Sequence, residues 1–220
     1  MPRRANYEKE LQDIFDKLVV MCRSIESAIT NCVTALVEGD FSLAKQVYEE
    51  EKTIDKLERE IEQACLRLFV MEQPLASDFR EVSAALKMIT DLERIGDQVS
   101  DIMEITAQFK NDKYTKKLDN IQQMAIIVIQ MVKDGVQAYI NRDLELAKSV
   151  AETDNKVDAL FEKIMQEIID NIKQKPNKAK QSVRLLMIAK YFERIGDHAE
   201  NVGEWVEYAI TGKHPKNAEL

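Results

Sequence analysis

Only 6 glycines and 4 prolines stand among the 220 residues, so the chain has few places where it can turn sharply. That scarcity excludes folds of many short strands joined by tight turns and leaves long uninterrupted segments. Cysteine is scarce too: Cys22, Cys32 and Cys65 form no CxxC pair, and an odd, scattered set is what a reducing cytosol permits. They read as small core residues. The two histidines, His198 and His214, stand in no Glu-x-x-His, which separates the chain from di-iron enzymes whose ligands project into a bundle core. Basic charge is in deficit, with a formal net charge of -8. This argues against nucleic acid, weakens any case for an anionic membrane surface, and favours cationic partners or metal ions. The longest apolar run, Met124 to Val132, is broken by Gln130 and has about half the length of a bilayer span. No transmembrane segment is expected. The first residues lead directly into a charged amphipathic pattern, so no signal peptide is expected either, and the location expected is cytoplasmic.

What the chain does contain is apolar residues at helical spacing. Leu11, Ile14, Leu18, Cys22, Ile25, Ile29, Cys32 and Leu36 mark one face of a helix from Tyr7 to Glu38, closed by Gly39 and followed by Asp40 as an N-cap. A second helix over 41–72 ends before Pro74, and a third runs from Ser77 along Val82, Leu86, Ile89, Leu92, Gly96, Val99 and Met103. The polar stretch from Lys110 to Lys117 reads as a boundary. Beyond it the plan recurs: a helix over about 115–140, a turn at Asn141, Arg142 and Asp143, a helix to Lys173, a break at Pro176, and a last helix to Ile210.

The recurrence is a tandem duplication. Glu93-Arg94-Ile95-Gly96-Asp97 returns unchanged as Glu193-Arg194-Ile195-Gly196-Asp197, and the segment from Asp40 to Leu57 aligns with that from Asp143 to Leu160. The expected fold is therefore all-α: six long helices with a pseudo-twofold internal repeat, forming two tandem antiparallel three-helix bundles laid end to end. The first bundle is expected over 1–110 and the second over 111–212, with 213–220 a frayed tail.

Four i, i+4 acidic pairs survive the duplication: Glu51/Asp55, Glu93/Asp97, Asp154/Asp158 and Glu193/Asp197. Heptad phase puts each pair on a flank of its helix, at positions e and b, and so on the surface. In an antiparallel hairpin, residues whose numbers add to one total lie opposite each other. By that rule Asp55 faces Glu93 and Glu51 faces Asp97, while Asp158 faces Glu193 and Asp154 faces Asp197. Each hairpin thus gathers four carboxylates about 30 Å from its turn. Such a set needs a counter-charge, and oxygen-only ligands suit hard or intermediate metal ions. Glu58 and Glu62 form a similar pair, but their counterparts are Phe161 and Met165, so they are set aside. Asp101 extends the first row and becomes Asn201 in the second, a possible additional ligand. Among the rest, Gly96 and Gly196 read as points of close helix approach, Arg94 as a partner of Asp91 or Asp97, His198 as a surface residue, and Trp205 as packed on a neighbouring helix.

Two copies of Glu-Arg-Ile-Gly-Asp, each preceded by acid-x-x-x-Asp about 40 residues earlier, with the run from Pro74 to Arg80 before the first and Asp197-His198-Ala199-Glu200 closing the second, resemble the PhoU family of phosphate-uptake regulators. The resemblance spans about residues 7–212. It implies a homodimeric adaptor rather than an enzyme, a negative regulator of the phosphate-starvation response. Its implied partners are the ATPase of a phosphate ABC transporter and a membrane-bound sensor histidine kinase. It also implies multinuclear iron or zinc clusters held by Glu51/Asp55, Glu93/Asp97, Asp154/Asp158 and Glu193/Asp197. Two departures stand out. Asp154 is shorter than Glu51, and Asp78, Phe79 and Arg80 have Lys178, Ala179 and Lys180 as counterparts. The competing readings are a carboxylate-bridged metal-dependent hydrolase or oxidase using bound water and a metal-free helical scaffold.

Overall fold

The computed structural model describes residues 2–109 and 118–217. Six helices carry the chain: α1 (Pro2–Glu38), α2 (Ala44–Glu72), α3 (Ser77–Ala107), α4 (Asp119–Asn141), α5 (Leu144–Gln174) and α6 (Ala179–Thr211). Among the described residues there is no strand. The boundary expected at 110–117 lies outside the described residues.

Local chemistry sets the turns. Gly39 adopts φ 74° and closes α1, with its N–H bonded to the Ala35 carbonyl at 3.0 Å. Asp40 then accepts from the Ser42 N–H at 3.1 Å and starts a 3-10 turn, Phe41–Leu43, that runs into α2. The second copy of this turn has no glycine. Arg142 takes the left-handed conformation instead, at φ 53°, and Asp143 caps α5 by accepting from the Leu146 N–H at 3.0 Å. A non-glycine residue there costs of the order of 1 kcal/mol, and an ion pair from the exposed Arg142 to a buried carboxylate offsets it. The Arg142 Nη1 reaches Oε1 of the buried Glu81 on α3 at 3.2 Å, and the Tyr139 hydroxyl donates to the Glu81 carbonyl at 2.7 Å.

Helices α1, α2 and α3 form one three-helix group and α4, α5 and α6 another, and both share a single hydrophobic core. The two groups lie side by side, which corrects the end-to-end layout. The most extensive helix contact in the chain is α3 against α6, and α1 also touches α4. The pairing of α3 with α6 is antiparallel: Lys87 lies over the Trp205 ring, the Asp91 carboxylate meets His198 and Asn201, and Asp101 stands by Tyr191. The reason is the width of the apolar stripes. Besides the seam of each hairpin, α3 buries Met88, Ile95 and Ile102, and α6 buries Ile188, Ile195 and Val202, seven residues apart in both. A stripe that wide needs neighbours on two sides. Each such side chain gains roughly 1.5–3 kcal/mol on burial, so losing even part of this cover would take a large share of a total stability of about 5–15 kcal/mol.

The tail is also docked rather than frayed as far as it is described. After Gly212 the chain turns back, the His214 ring lies 4.4 Å from that of Trp205, and Lys216 pairs with Glu204 at 2.9 Å. Residues 218–220 lie outside the description.

Close helix approach at glycine yields a paired prediction. A Cβ at Gly203 would stand 2.8 Å from the Ala147 carbonyl oxygen on α5, a backbone atom that cannot step aside, whereas one at Gly96 would meet only the Ile54 side chain, at 3.1 Å. Alanine gains about 1 kcal/mol of helix propensity at either position. Gly203→Ala should therefore destabilise by about 1–3 kcal/mol and lower the melting temperature by several degrees, while Gly96→Ala stays within about 1 kcal/mol of the parent. Thermal denaturation of both variants checks this, and equal melting temperatures would contradict it.

Candidate metal centre

The acidic pairs sit where α2 crosses α3 and where α5 crosses α6, because the glycine of each repeat lets its helices approach there. Gly96 lies against Ile54 and Gly196 against Asp154 and Val157, which matches the expected hairpin register. In the first half the structure brings oxygen atoms of Asp55, Glu93 and Asp97 within 4.8 Å of one another. Glu51 joins them electrostatically, its pKa raised by burial and then by Asp55 and Asp97. Burial and then Asp97 likewise raise Glu93. Partial compensation comes from guanidinium groups on the rim: Arg94 lies 3.5 Å from Glu93 and 3.3 Å from Asp97, and Arg59 lies 3.3 Å from Asp55. Arg94 pairs with Asp97 as expected. These ion pairs are largely exposed and each is worth about 0–1 kcal/mol, too little to neutralise the set.

The second half is built differently. Asp158 and Asp197 are exposed, but Asp154 is only 8% exposed and its Oδ1 has no hydrogen-bond partner. This departs from the surface position that heptad phase assigns. With a shorter side chain than Glu51, the Asp154 carboxylate stays beside its own backbone, against Gly196, and does not reach out to water. Burial, then Asp158, Glu200, Asp197 and Glu193, push its pKa up to about 7. Glu193 meanwhile is held by Lys190, whose Nζ lies 2.5 Å from both carboxylate oxygens.

Three residues of this region escaped the sequence reading. Glu200 acts on Asp154, Asp158 and Asp197, Glu204 lies one turn further along, and Lys216 reaches both glutamates, at 3.7 and 2.9 Å. Glu200 has Ser100 as its counterpart, so the duplicated acidic pattern does not mark it. Its spacing of three from Asp197 and seven from Glu193 could have found it. Glu58, set aside for the same reason, contributes to the first half's charge through Glu93. The additional candidates turn elsewhere: Asp101 stands by Tyr191, and the Asn201 amide donates to Asp91 at 3.1 Å while its oxygen accepts from Lys216 at 2.9 Å. His198, expected on the surface, is half-buried with its Nδ1 2.9 Å from Asp91.

The residues fit a metal ion. In the first half three convergent carboxylate oxygens make an all-oxygen donor set whose repulsion a cation would relieve; among the described residues the second half gathers no such trio and offers instead a buried, unpartnered Asp154 oxygen among its acids. A groove of about 480 Å³ between α1 and α4 is lined by Cys22, Glu26, Lys133 and their neighbours and includes none of the candidate carboxylates.

Comparisons with known proteins agree with the duplicated layout. The family model described as PhoU domain matches twice, over residues 18–106 and 121–206. A phosphate-specific transport system accessory protein PhoU homolog of Clostridium acetobutylicum is 34% identical over 211 residues, covering 96% of both chains. One of Aquifex aeolicus is 34% identical over 84% of both chains. Among solved structures, the crystal structure of PhoU from Pseudomonas aeruginosa superposes with a TM-score of 0.89 at 31% identity, covering 94% of this chain and 100% of the other. That of the phosphate transport system regulatory protein PhoU from Streptococcus pneumoniae gives 0.85 at 25% identity over 94% and 98%.

The raised carboxyl of Asp154 has a measurable consequence. The native state keeps a proton that the unfolded chain loses above its ordinary pKa of 3.8, so the stabilisation is full at low pH and is lost as pH rises toward 7. In chelator-treated protein, Asp154→Asn should raise stability by roughly 1–3 kcal/mol at pH above about 7 and change it little below a pH of about 4. Melting curves across that window decide it; parallel profiles for parent and variant would contradict the assignment.

Proposed function

The chain belongs to the PhoU family, and on that premise we propose that it is a regulatory accessory of phosphate-specific transport that works by docking rather than catalysis. In this reading it acts in the cytoplasm as a homodimer, contacting the ATPase of a phosphate ABC transporter and a sensor histidine kinase, and it restrains the phosphate-starvation response when phosphate is plentiful. The observation that carries the reading is that a PhoU domain accounts for each half of the chain, in step with accessory proteins matched along nearly their whole length. No helix among the described residues is long and apolar enough to cross a membrane, so contact with a transporter runs through its peripheral parts.

In the same reading the two carboxylate sets hold metal clusters, iron or zinc, on the flanks of α2–α3 and α5–α6. The residues that would hold them are Glu51, Asp55, Glu93 and Asp97 in one half and Asp154, Asp158, Glu193 and Asp197 in the other. Bound cations would discharge the repulsion within each set and tie the two helices of each hairpin together. The hydrolase or oxidase alternative asks for a substrate cavity beside the carboxylates. The groove of about 480 Å³ between α1 and α4 includes none of these carboxylates, which favours docking instead.

Two outcomes test this. Deleting the gene should derepress phosphate-starvation genes in phosphate-rich medium, read by transcript levels, and unchanged expression would contradict the regulatory role. Protein purified without chelator or affinity tag should carry several equivalents of iron or zinc by elemental analysis, lost when Asp97→Asn and Asp197→Asn are combined. Equal metal content in both would remove the clusters from these residues.

A further inference from the structure

The two carboxylate sets differ in a further respect that the duplication does not explain: the chain's tail brings a lysine back to the second. Gly212 takes φ 77° and reverses the chain at the end of α6. The turn is fixed by Thr211, whose hydroxyl oxygen accepts from the Lys213 N–H at 3.1 Å. The returning segment is then pinned by His214 on the Trp205 ring at 4.4 Å. This delivers the Lys216 ammonium to Glu204 at 2.9 Å, to the Asn201 amide oxygen at 2.9 Å and to Glu200 at 3.7 Å. Glu200 is the shared group: it pairs with Lys216, stands one turn beyond Asp197 on α6, and acts electrostatically on Asp154 and Asp158 as well. The first half has Ser100 in place of Glu200, and its Glu104 is exposed where Glu204 is buried.

We propose that Lys216 is a resident counter-ion beside the second carboxylate set, and that a metal cation entering that set draws Glu200 away from it and loosens the tail on α6. The inference rests on the cation reading given above for these residues. The exchange is a competition for Glu200: its carboxylate either accepts from the ammonium or turns to share the incoming cation with Asp158 and Asp197. Lys216 gives up Glu200 as the ion binds and keeps Glu204 and Asn201, so the tail is held by fewer contacts, with His214 still on the Trp205 ring. Because the coupling is reciprocal, removing Lys216 strengthens cation binding as much as cation binding loosens Lys216. The consequence for the molecule is asymmetric: cation occupancy of the second half, and not of the first, changes which surface of α6 around Trp205 is covered. That ties a binding event at the carboxylates to a change of exposed surface at the end of the helix.

Trp205 is the only tryptophan in the chain, so its emission reports the tail directly. The test uses full-length protein with Asp55→Asn and Asp97→Asn, which disable the first half, titrated with Zn²⁺ alone by calorimetry and by fluorescence. Zinc should bind and shift the Trp205 emission. Adding Lys216→Gln should tighten zinc binding by at least about fivefold and start the emission near the zinc-saturated value, whereas Lys213→Gln, an exposed tail lysine, should leave both unchanged. Zinc bound equally tightly with and without Lys216, with an unmoved Trp205 signal, overturns the exchange and leaves the cation reading standing. Failure of zinc to bind the second half in either background sinks the cation reading, and the exchange falls with it.

Discussion

The antiparallel seat of α3 on α6 is the constraint on which the rest of the structure depends. Each of these helices is the third member of its own group and also the wall against which the other group rests, so its apolar stripe must serve two interfaces at once. Met88, Ile95 and Ile102 on one, and Ile188, Ile195 and Val202 on the other, are fully or almost fully buried. What remains for polar chemistry is the flank that neither interface covers. The carboxylates of α3 and α6 lie there, facing the partner helix of each hairpin, and their placement follows from the use of the other faces.

Seen electrostatically, the duplicated sites are two answers to one problem. Carboxylates on adjacent turns of two crossing helices repel, and the repulsion has to be met by rim cations, by protonation or by bound ions. The first half relies on Arg94 and Arg59, which stay largely in water. The second half buries one carboxyl, raises its pKa toward neutrality, and draws Lys190 and the tail's Lys216 onto its glutamates. A single methylene, the difference between Glu51 and Asp154, separates a carboxylate that reaches the rim from one that stays against Gly196.

Much of this was legible in the chain itself. Gly39, Asp40 and Asp143 announced their turns because capping is local chemistry, and the acidic pairs could be matched across each hairpin because an antiparallel register follows from where the turns fall. Other features were hidden for reasons just as physical. Arg142 in a left-handed turn is intelligible only through Glu81, more than sixty positions earlier in the chain, and the burial of His198 depends on Asp91 from the other half. Glu200 breaks the repeat, and Lys216 stands in a short polar segment that follows a terminal glycine and carries no periodic signal.

By itself, then, the sequence determined the six helices, their breaks, the duplication and the pairing of acids within each hairpin, since each of these depends on neighbours no more than one turn or one hairpin away. The tertiary structure alone decided that the two groups lie flank to flank, that Asp154 is buried while Asp158 is not, and that the tail returns to place a lysine beside the second acidic set. Those outcomes depend on surfaces far apart along the chain competing for the same cover, and only packing resolves that competition.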